Sequence, residues 1–427
     1  MLERKRKLDC ANGREKADLV LKNGNVLNVF TEEVLKADVA ICGDTIVGVG
    51  EYEGKEEIDC TGKYLVPGFI DAHMHIESCM AAPGELAKVL AKAGTTTIIA
   101  DPHEIVNVSG TKGMDYFLKC AAKLLVNVFF MVPSAVPATD VETNGCGEFL
   151  ASDMMKYVDN ARVLGLGETM RFMECCEGEK RMADKLELFA KKHIDGHAPG
   201  IRGKEVQAYR LAGVENDHEC STAEEVLDKL RAGLHIYVRE GSGAKNLETL
   251  IKTMLDAGVC LDRCAFCTDD KHVEEIRKEG HISTCIRKAI ALGVPVAKAY
   301  KMGSYQAAEF YGLKNYGAIG AGYRADIVFL DDLEQVRPLD VMKDGRILTE
   351  EDYAKDYSVP VPDELLHTVH VGEVTKEKIR LSCDGKTDVI QMNPHQIVTT
   401  HLVEEVPTEN GYFKSCLLYT SPSPRDL

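Results

Sequence analysis

Four histidines and two carboxylates are spaced along this chain so that they close short apolar runs. His73 and His75 end LVPGFIDAHMH (65–75), Glu168 ends RVLGLGE (162–168), and His197 lies in HIDGHAP (193–199). His218 lies in GVENDHE (213–219) and Asp269 in RCAFCTDD (263–270). Neutral imidazoles and carboxylates together bind a divalent ion, which lowers the pKa of water to about 7 and so makes a nucleophile at neutral pH. Residues i and i+2 of a strand share a side, so His73 and His75 can reach one ion. One such histidine alone is more often a packing residue. The convergence from five strand ends is what points to a metal-dependent hydrolytic centre.

For these residues to meet, the runs must be neighbouring strands. From Leu65 to Tyr316 apolar runs alternate with amphipathic segments eight times, the remaining runs being TTTIIADPH (95–103), VNVFFMVPSA (126–135) and LHIYVREG (234–241). Seven read as buried strands, whereas GVENDHE is too polar to assign from its pattern. PGELAKVLAKAG (83–94), EKRMADKLELFAKK (179–192), TAEEVLDKLRAG (222–233) and NLETLIKTMLDAG (246–258) read as helices, several opening on Pro, Thr or Asn and closing on Gly.

Eight βα units over roughly 250 residues predict an α/β fold of the (β/α)8 TIM-barrel type, with chemistry at the C-terminal ends of the strands. A doubly wound sheet would want a Gly-rich phosphate loop after an early strand, which this sequence lacks.

The flanks, 18–64 and 317–347, are strand-and-turn sequence with NG, GD and DG turn signals. They predict a small β-sandwich-like domain built from both ends, from 1–64 and 317–349 around a barrel at 65–316. An incomplete C-terminal region follows at 350–415, with strand-like HVGEV and KIRLSC, and then a non-native tail at 416–427.

The chain carries 51 Lys+Arg against 68 Asp+Glu, a formal charge of -17 that repels a phosphate backbone and argues against nucleic acid as a partner. The basic run Arg4–Lys7 reads as a solvated tail. No stretch approaches the roughly 20 apolar residues of a membrane span, and no signal-peptide segment follows the N-terminus, so the expected location is the cytoplasm. Fifteen cysteines without framework spacing read as reduced thiols, most of them small core residues.

On these strings the chain resembles the amidohydrolase superfamily. FIDAHMHIES is similar to its opening signature, and GAIGAGYRADIVFLD to the return into its β domain; the resemblance covers roughly residues 18–347. Dihydroorotase-like and hydantoinase-like members carry a carboxylated lysine at the fourth strand, where this sequence has LGLGETM with Glu168. With ADPHE, IDGHAPGIRG, NDHE and CTDD, that difference makes the chain similar to the adenine deaminases.

The resemblance implies a metal site of His73, His75, Glu168, His197, His218 and Asp269. It favours manganese or iron in a binuclear centre, although the ligand types also admit zinc. It further implies hydrolysis of adenine to hypoxanthine and ammonia in purine salvage, by attack of metal-activated hydroxide at C6. The partners are then a small-molecule substrate, with neither nucleic acid nor membrane, and leave room for a homo-oligomer.

Asp269 can move the protons of that reaction, or serve as a ligand only. Glu77, two residues past His75, is a candidate proton donor to the purine ring if the strand continues so far, or a partner of a ligating histidine. His103, Glu104, Arg239 and Glu240 also sit at strand ends and are candidates for contacting the base, while Arg239 and Glu240 can instead form an ion pair.

Cyclic-amide or N-acyl hydrolysis at the same centre is one rival reading, and an inactive fragment of a longer relative is the other. A cytidine-type zinc site is imitated by His75-Ile76-Glu77 with Cys264 and Cys267. It fails because no proline precedes Cys264, and residues three apart on a strand turn to opposite faces.

The tail combines Ser421-Pro422-Ser423-Pro424 with the single apolar triplet Leu417-Leu418-Tyr419. Deleting 416–427 should change unfolding free energy by no more than about 0.5 kcal/mol. A fall of several degrees in melting temperature would make the tail native structure.

Overall fold

The computed structural model describes residues 2–368 and 370–414, so the 416–427 tail lies outside the described residues. Eight short parallel strands form the centre. Phe69–Met74, Thr95–Ala100, Asn127–Val132, Val163–Thr169 and His193–Gly196 pair in that order as one sheet, and Asn216–Asp217, His235–Arg239 and Cys264–Cys267 as another.

Hydrogen bonds cross both seams between the sheets. Glu215 N donates to Ile194 O over 3.0 Å at one, and Asp269 N to His73 O over 3.0 Å at the other. The result is a TIM-barrel-like α/β fold. The polar GVENDHE run supplies only the two-residue strand Asn216–Asp217.

All four expected helices form, at Pro83–Lys92, Lys180–Leu188, Ala223–Arg231 and Leu247–Asp256. Thr222 caps the third, accepting the Glu225 N–H while the Glu225 carboxylate accepts the Thr222 N–H. Helix and strand faces bury two large apolar clusters between them, and a smaller one of Ile70, Ala72, Ile99, Met131, Tyr237 and Cys267 fills the barrel. Cys264 belongs to an outer cluster and Cys267 to the inner one, so the two thiols face apart. Among the described residues all fourteen cysteines are free, ten of them buried.

Both flanks join one eight-stranded sheet. Ile327–Leu330 pairs antiparallel with Tyr64–Pro67, which pairs parallel with Ala17–Asn28. The LVPGFIDAHMH run is therefore shared: its first residues belong to the flank sheet and the barrel begins at Phe69. The GD and DG signals are hairpin turns at 43–44 and 344–345. The NG signal is instead a bulge, where Asn23 takes φ +60 and the register shifts without ending the strand.

The basic run is not a solvated tail. It lies on the helix Leu2–Ala11, which buries Cys10 and directs Arg6 to Asp18 and Lys7 to Thr45 Oγ1 at 3.0 Å.

One compact unit extends to Leu366, past the expected limit of 349. Tyr357 packs against Gly84 of the first barrel helix and Tyr353 joins the same cluster, which ties this stretch down. In the second unit, among the described residues, Lys386–Met392 pairs with Thr399–Glu405 and Thr408–Glu409 with Tyr412–Phe413. HVGEV forms no strand and KIRLSC only a bridge at Ser382, since Val371, Val374, Ile379 and Leu381 are exposed and bury nothing by pairing. Among the described residues no helix is long and apolar enough to cross a membrane.

Fourth and fifth strands meet so closely at Gly165 that a Cβ there would overlap the His193 carbonyl oxygen. Gly165→Ala should therefore cost about 1–3 kcal/mol, read as a lower denaturation midpoint. An unchanged midpoint would show that the strands part freely.

Candidate metal centre

The residues singled out by spacing meet at the C-terminal mouth of the barrel. His75 Nε2 lies 3.1 Å from Glu168 Oε1 and 3.2 Å from Asp269 Oδ1, and His73 Nε2 lies 3.7 Å from that same Asp269 oxygen. The other Glu168 oxygen, Oε2, is 2.6 Å from His197 Nδ1 and 3.4 Å from His218 Nε2. Glu168 thus stands between two histidine pairs, with one oxygen toward each. His73 and His218 close the circuit with rings stacked 4.0 Å apart.

Buried polar groups in the layer beneath hold this arrangement. Asp71 Oδ1 accepts the N–H of His73 and that of Thr268, fixing the ends of the first and eighth strands together. Asp269 follows with φ +55, a left-handed conformation that costs about 1–3 kcal/mol. Its backbone is pinned by bonds to His73 O and from His75 N.

Buried Asp217 accepts the N–H of Ala198 and of Glu219, the residues after His197 and His218, and pairs with buried Lys229 at 3.1 Å. Tyr209 accepts the His197 N–H and donates to Thr169 O. Asp101 Oδ2 accepts the Glu168 N–H at 2.9 Å, in space left because residue 167 is glycine. His75 Nδ1 faces the Asp101 carbonyl at 2.9 Å; as the donor there it leaves Nε2 free to ligate.

Sequence reasoning passed over Glu219, Asp101 and Asp270. Glu219 Oε1 lies 3.3 Å from His218 Nε2 and 3.4 Å from His197 Nδ1. Strand alternation would turn Glu219 away from its neighbour His218, but the sixth strand stops at Asp217 and alternation stops with it. Asp101 is the first residue past the second strand, and an acid at a strand end was the signal available for it. With His103 and Glu168 it forms a further group able to hold a cation, as do His75, Glu104 and Asp270.

Glu77 does not continue the first strand, which ends at Met74; it opens a short 3-10 turn. Its Oε1 accepts the Ile105 N–H and its Oε2 has no hydrogen-bond partner among the described residues. Arg239 and Glu240 do not pair with each other. The Arg239 guanidinium binds Glu219 and lies 2.6 Å from Asp269 Oδ2, while Glu240 is 2.5 Å from Lys288 Nζ. Glu104 Oε2 lies 3.3 Å from His75 Nδ1, and His103 is buried beside them.

Charge decides what this cluster can hold. Among the described residues Arg239 is the only lysine or arginine within 4.0 Å of Asp101, Glu104, Glu168, Glu219, Asp269 or Asp270. Burial opposes ionisation of Glu168, yet His75, His197 and His218 hold its carboxyl well below the usual range. Burial likewise opposes, and His73, His75 and Arg239 overcome, for Asp269. Glu219 is held at about 2 against its burial by His197, His218 and Arg239. Burial, and then the Glu104 charge, pushes Glu77 up to about 8.

Both ring nitrogens of His73 and of His218 are buried without a hydrogen-bond partner among the described residues. Buried polar groups are ordinarily hydrogen-bonded, so orphaned imidazoles facing ionised carboxylates are a donor set that fits divalent metal.

A profile of the amidohydrolase family matches residues 64–348. An adenine deaminase of Desulfitobacterium hafniense is 46% identical over 94% of this chain and 70% of its own length. One from Clostridium acetobutylicum is 43% identical, over 97% and 73%. The fold superposes on a β-aspartyl dipeptidase of Fervidobacterium islandicum with TM-score 0.58 at 18% identity, covering 79% of this chain and 98% of that one.

His197→Ala and His218→Ala should each lower bound metal and turnover together, as elemental analysis beside an activity assay would record. A wild-type metal ratio in both variants would remove them from the ligand set.

Proposed function

The chain belongs to the amidohydrolase family, and from that premise we propose that the barrel mouth is where it deaminates adenine to hypoxanthine and ammonia, with His73, His75, Glu168, His197, His218 and Asp269 holding a binuclear centre. The enzyme is a hydrolase acting on C–N bonds. The observation that carries the residue assignment is Glu168, whose two oxygens are divided between His75 and the pair His197 and His218. A divalent metal there supplies an activated water and charge stabilisation. We assign manganese or iron as the native ion.

The chain's own groups then divide the work. Asp269 has one oxygen toward His73 and His75 and the other held by Arg239. It takes a proton from the attacking water and passes it to the departing amino group, while Arg239 keeps the carboxylate in place. Glu77, with its unpartnered Oε2, donates a proton to the purine ring. His103 and Glu104 contact the base. Arg239 and Glu240 already have ionic partners, so their contribution to substrate binding is indirect.

Buried carboxylates and imidazoles hold the reacting groups in a low-dielectric setting where oriented charge acts strongly. Hydrolysis of a cyclic amide would use the same ligands, and side-by-side assay of adenine, dihydroorotate and hydantoin separates the two chemistries. Ammonia release from adenine is expected; turnover of the amides alone would overturn the reading. Asp269→Asn should lower kcat by at least about a hundredfold, the size of a lost general acid–base group, with most of the metal retained. A fall only in proportion to metal occupancy would remove the proton role.

A further inference from the structure

On the outer wall of the barrel, the helices Pro83–Lys92, Val273–Glu279 and Ile282–Ala291 and the segment 335–338 enclose a cleft of about 820 Å³. Six lysines and arginines line it with one acid, Glu279, on a chain whose net charge is -17. Three of those six have carboxylate partners: Lys92 with Glu350 at 3.6 Å, Lys278 with Glu274 at 3.1 Å and Lys288 with Glu240 at 2.5 Å. Arg277, Arg287 and Arg337 have no carboxylate within 4.0 Å among the described residues.

Arg287 is half-buried and donates to neutral oxygens only: Glu279 O at 2.8 Å, Thr284 Oγ1 at 3.1 Å and Gln335 O at 3.4 Å. Burial and the neighbouring Arg337 press its pKa down, more than the Glu279 charge restores. Ser283, 2% exposed, lines the same cleft, and its hydroxyl has no hydrogen-bond partner among the described residues.

Arginines without a carboxylate partner, lining one cleft with a hydroxyl, are groups that recognise a phosphate, because the planar guanidinium matches phosphate oxygens two at a time. A phosphate ion alone would leave most of the space empty, since clefts of about 300–1,000 Å³ suit molecules of cofactor size. Beside Thr284 and Gln335, the remaining wall has an apolar part from Val89, Ile276, Val336 and Pro338.

We propose that this cleft binds a nucleoside monophosphate, its phosphate among Arg277, Arg287, Arg337 and Ser283 and its nucleoside against the apolar wall. The site is separate from the metal centre and does not depend on the reaction assigned there.

Equilibrium titration of the full chain with AMP, ribose 5-phosphate and inorganic phosphate tests this. AMP should bind saturably, one per chain, undisturbed by excess hypoxanthine, with inorganic phosphate weaker. Arg277 and Arg337 make no side-chain hydrogen bond or ion pair among the described residues, so the double variant Arg277→Gln, Arg337→Gln should fold normally and weaken AMP by at least about tenfold. Arg287→Gln should do the same, with a melting curve reporting its separate cost in lost carbonyl bonds.

Absence of saturable binding, an affinity unchanged in the double variant, or displacement by hypoxanthine would overturn the proposal. Inorganic phosphate binding as tightly as AMP would overturn the nucleoside half of it.

Discussion

Taking a carboxylate out of water costs several kcal/mol unless cations or hydrogen-bond donors replace its hydration. Glu168, Glu219 and Asp269 are 3%, 0% and 6% exposed, yet the histidines and Arg239 around them keep them ionised. That negative charge confined to one mouth is the constraint on which the surrounding structure depends. It explains why imidazoles ring the carboxylates and why Arg239 is buried among them.

The six side chains arrive on five different strand ends, so their placement is inherited from how the strands are tied. The ties are themselves polar and buried: Asp71 between the first and eighth strand ends, Asp217 with Lys229 behind the fifth and sixth, Tyr209 between the fourth and fifth. Such fully engaged groups limit which arrangements of the strand ends satisfy every donor. Glycine has a part too, because only at residue 167 without a side chain can the Asp101 carboxylate reach the Glu168 amide.

The barrel rhythm and the six ligand candidates were legible because burial on both faces makes parallel strands apolar, so a polar residue at the end of such a run stands out. Glu219 was hidden because its strand is two residues long, which leaves no alternation to read. Arg239 was visible at its strand end, but its partners were not, since Glu219 and Asp269 lie 20 and 30 residues away and meet it only through the curl of the sheet. The N-terminal helix escaped for another reason: its basic residues are matched by Asp18 and by groups on the flank sheet, not by any apolar stripe of its own. NG is a good turn signal in general, and here one left-handed residue was absorbed by a bulge instead.

Thr268 and Asp71, whose bond joins the last strand to the first, are 197 residues apart in the chain. During synthesis the His73 and His75 pair leaves the ribosome long before Asp269 exists to face it. The carboxylate that completes their site is carried by the final stave of the barrel, and its main chain is part of the joint. A nascent chain can therefore collect helices and sheet in order, but it cannot bring the six side chains together until the circumference closes. Completion of the cluster is then a checkpoint on topology: all six side chains face one another only once the ring has closed in the right order.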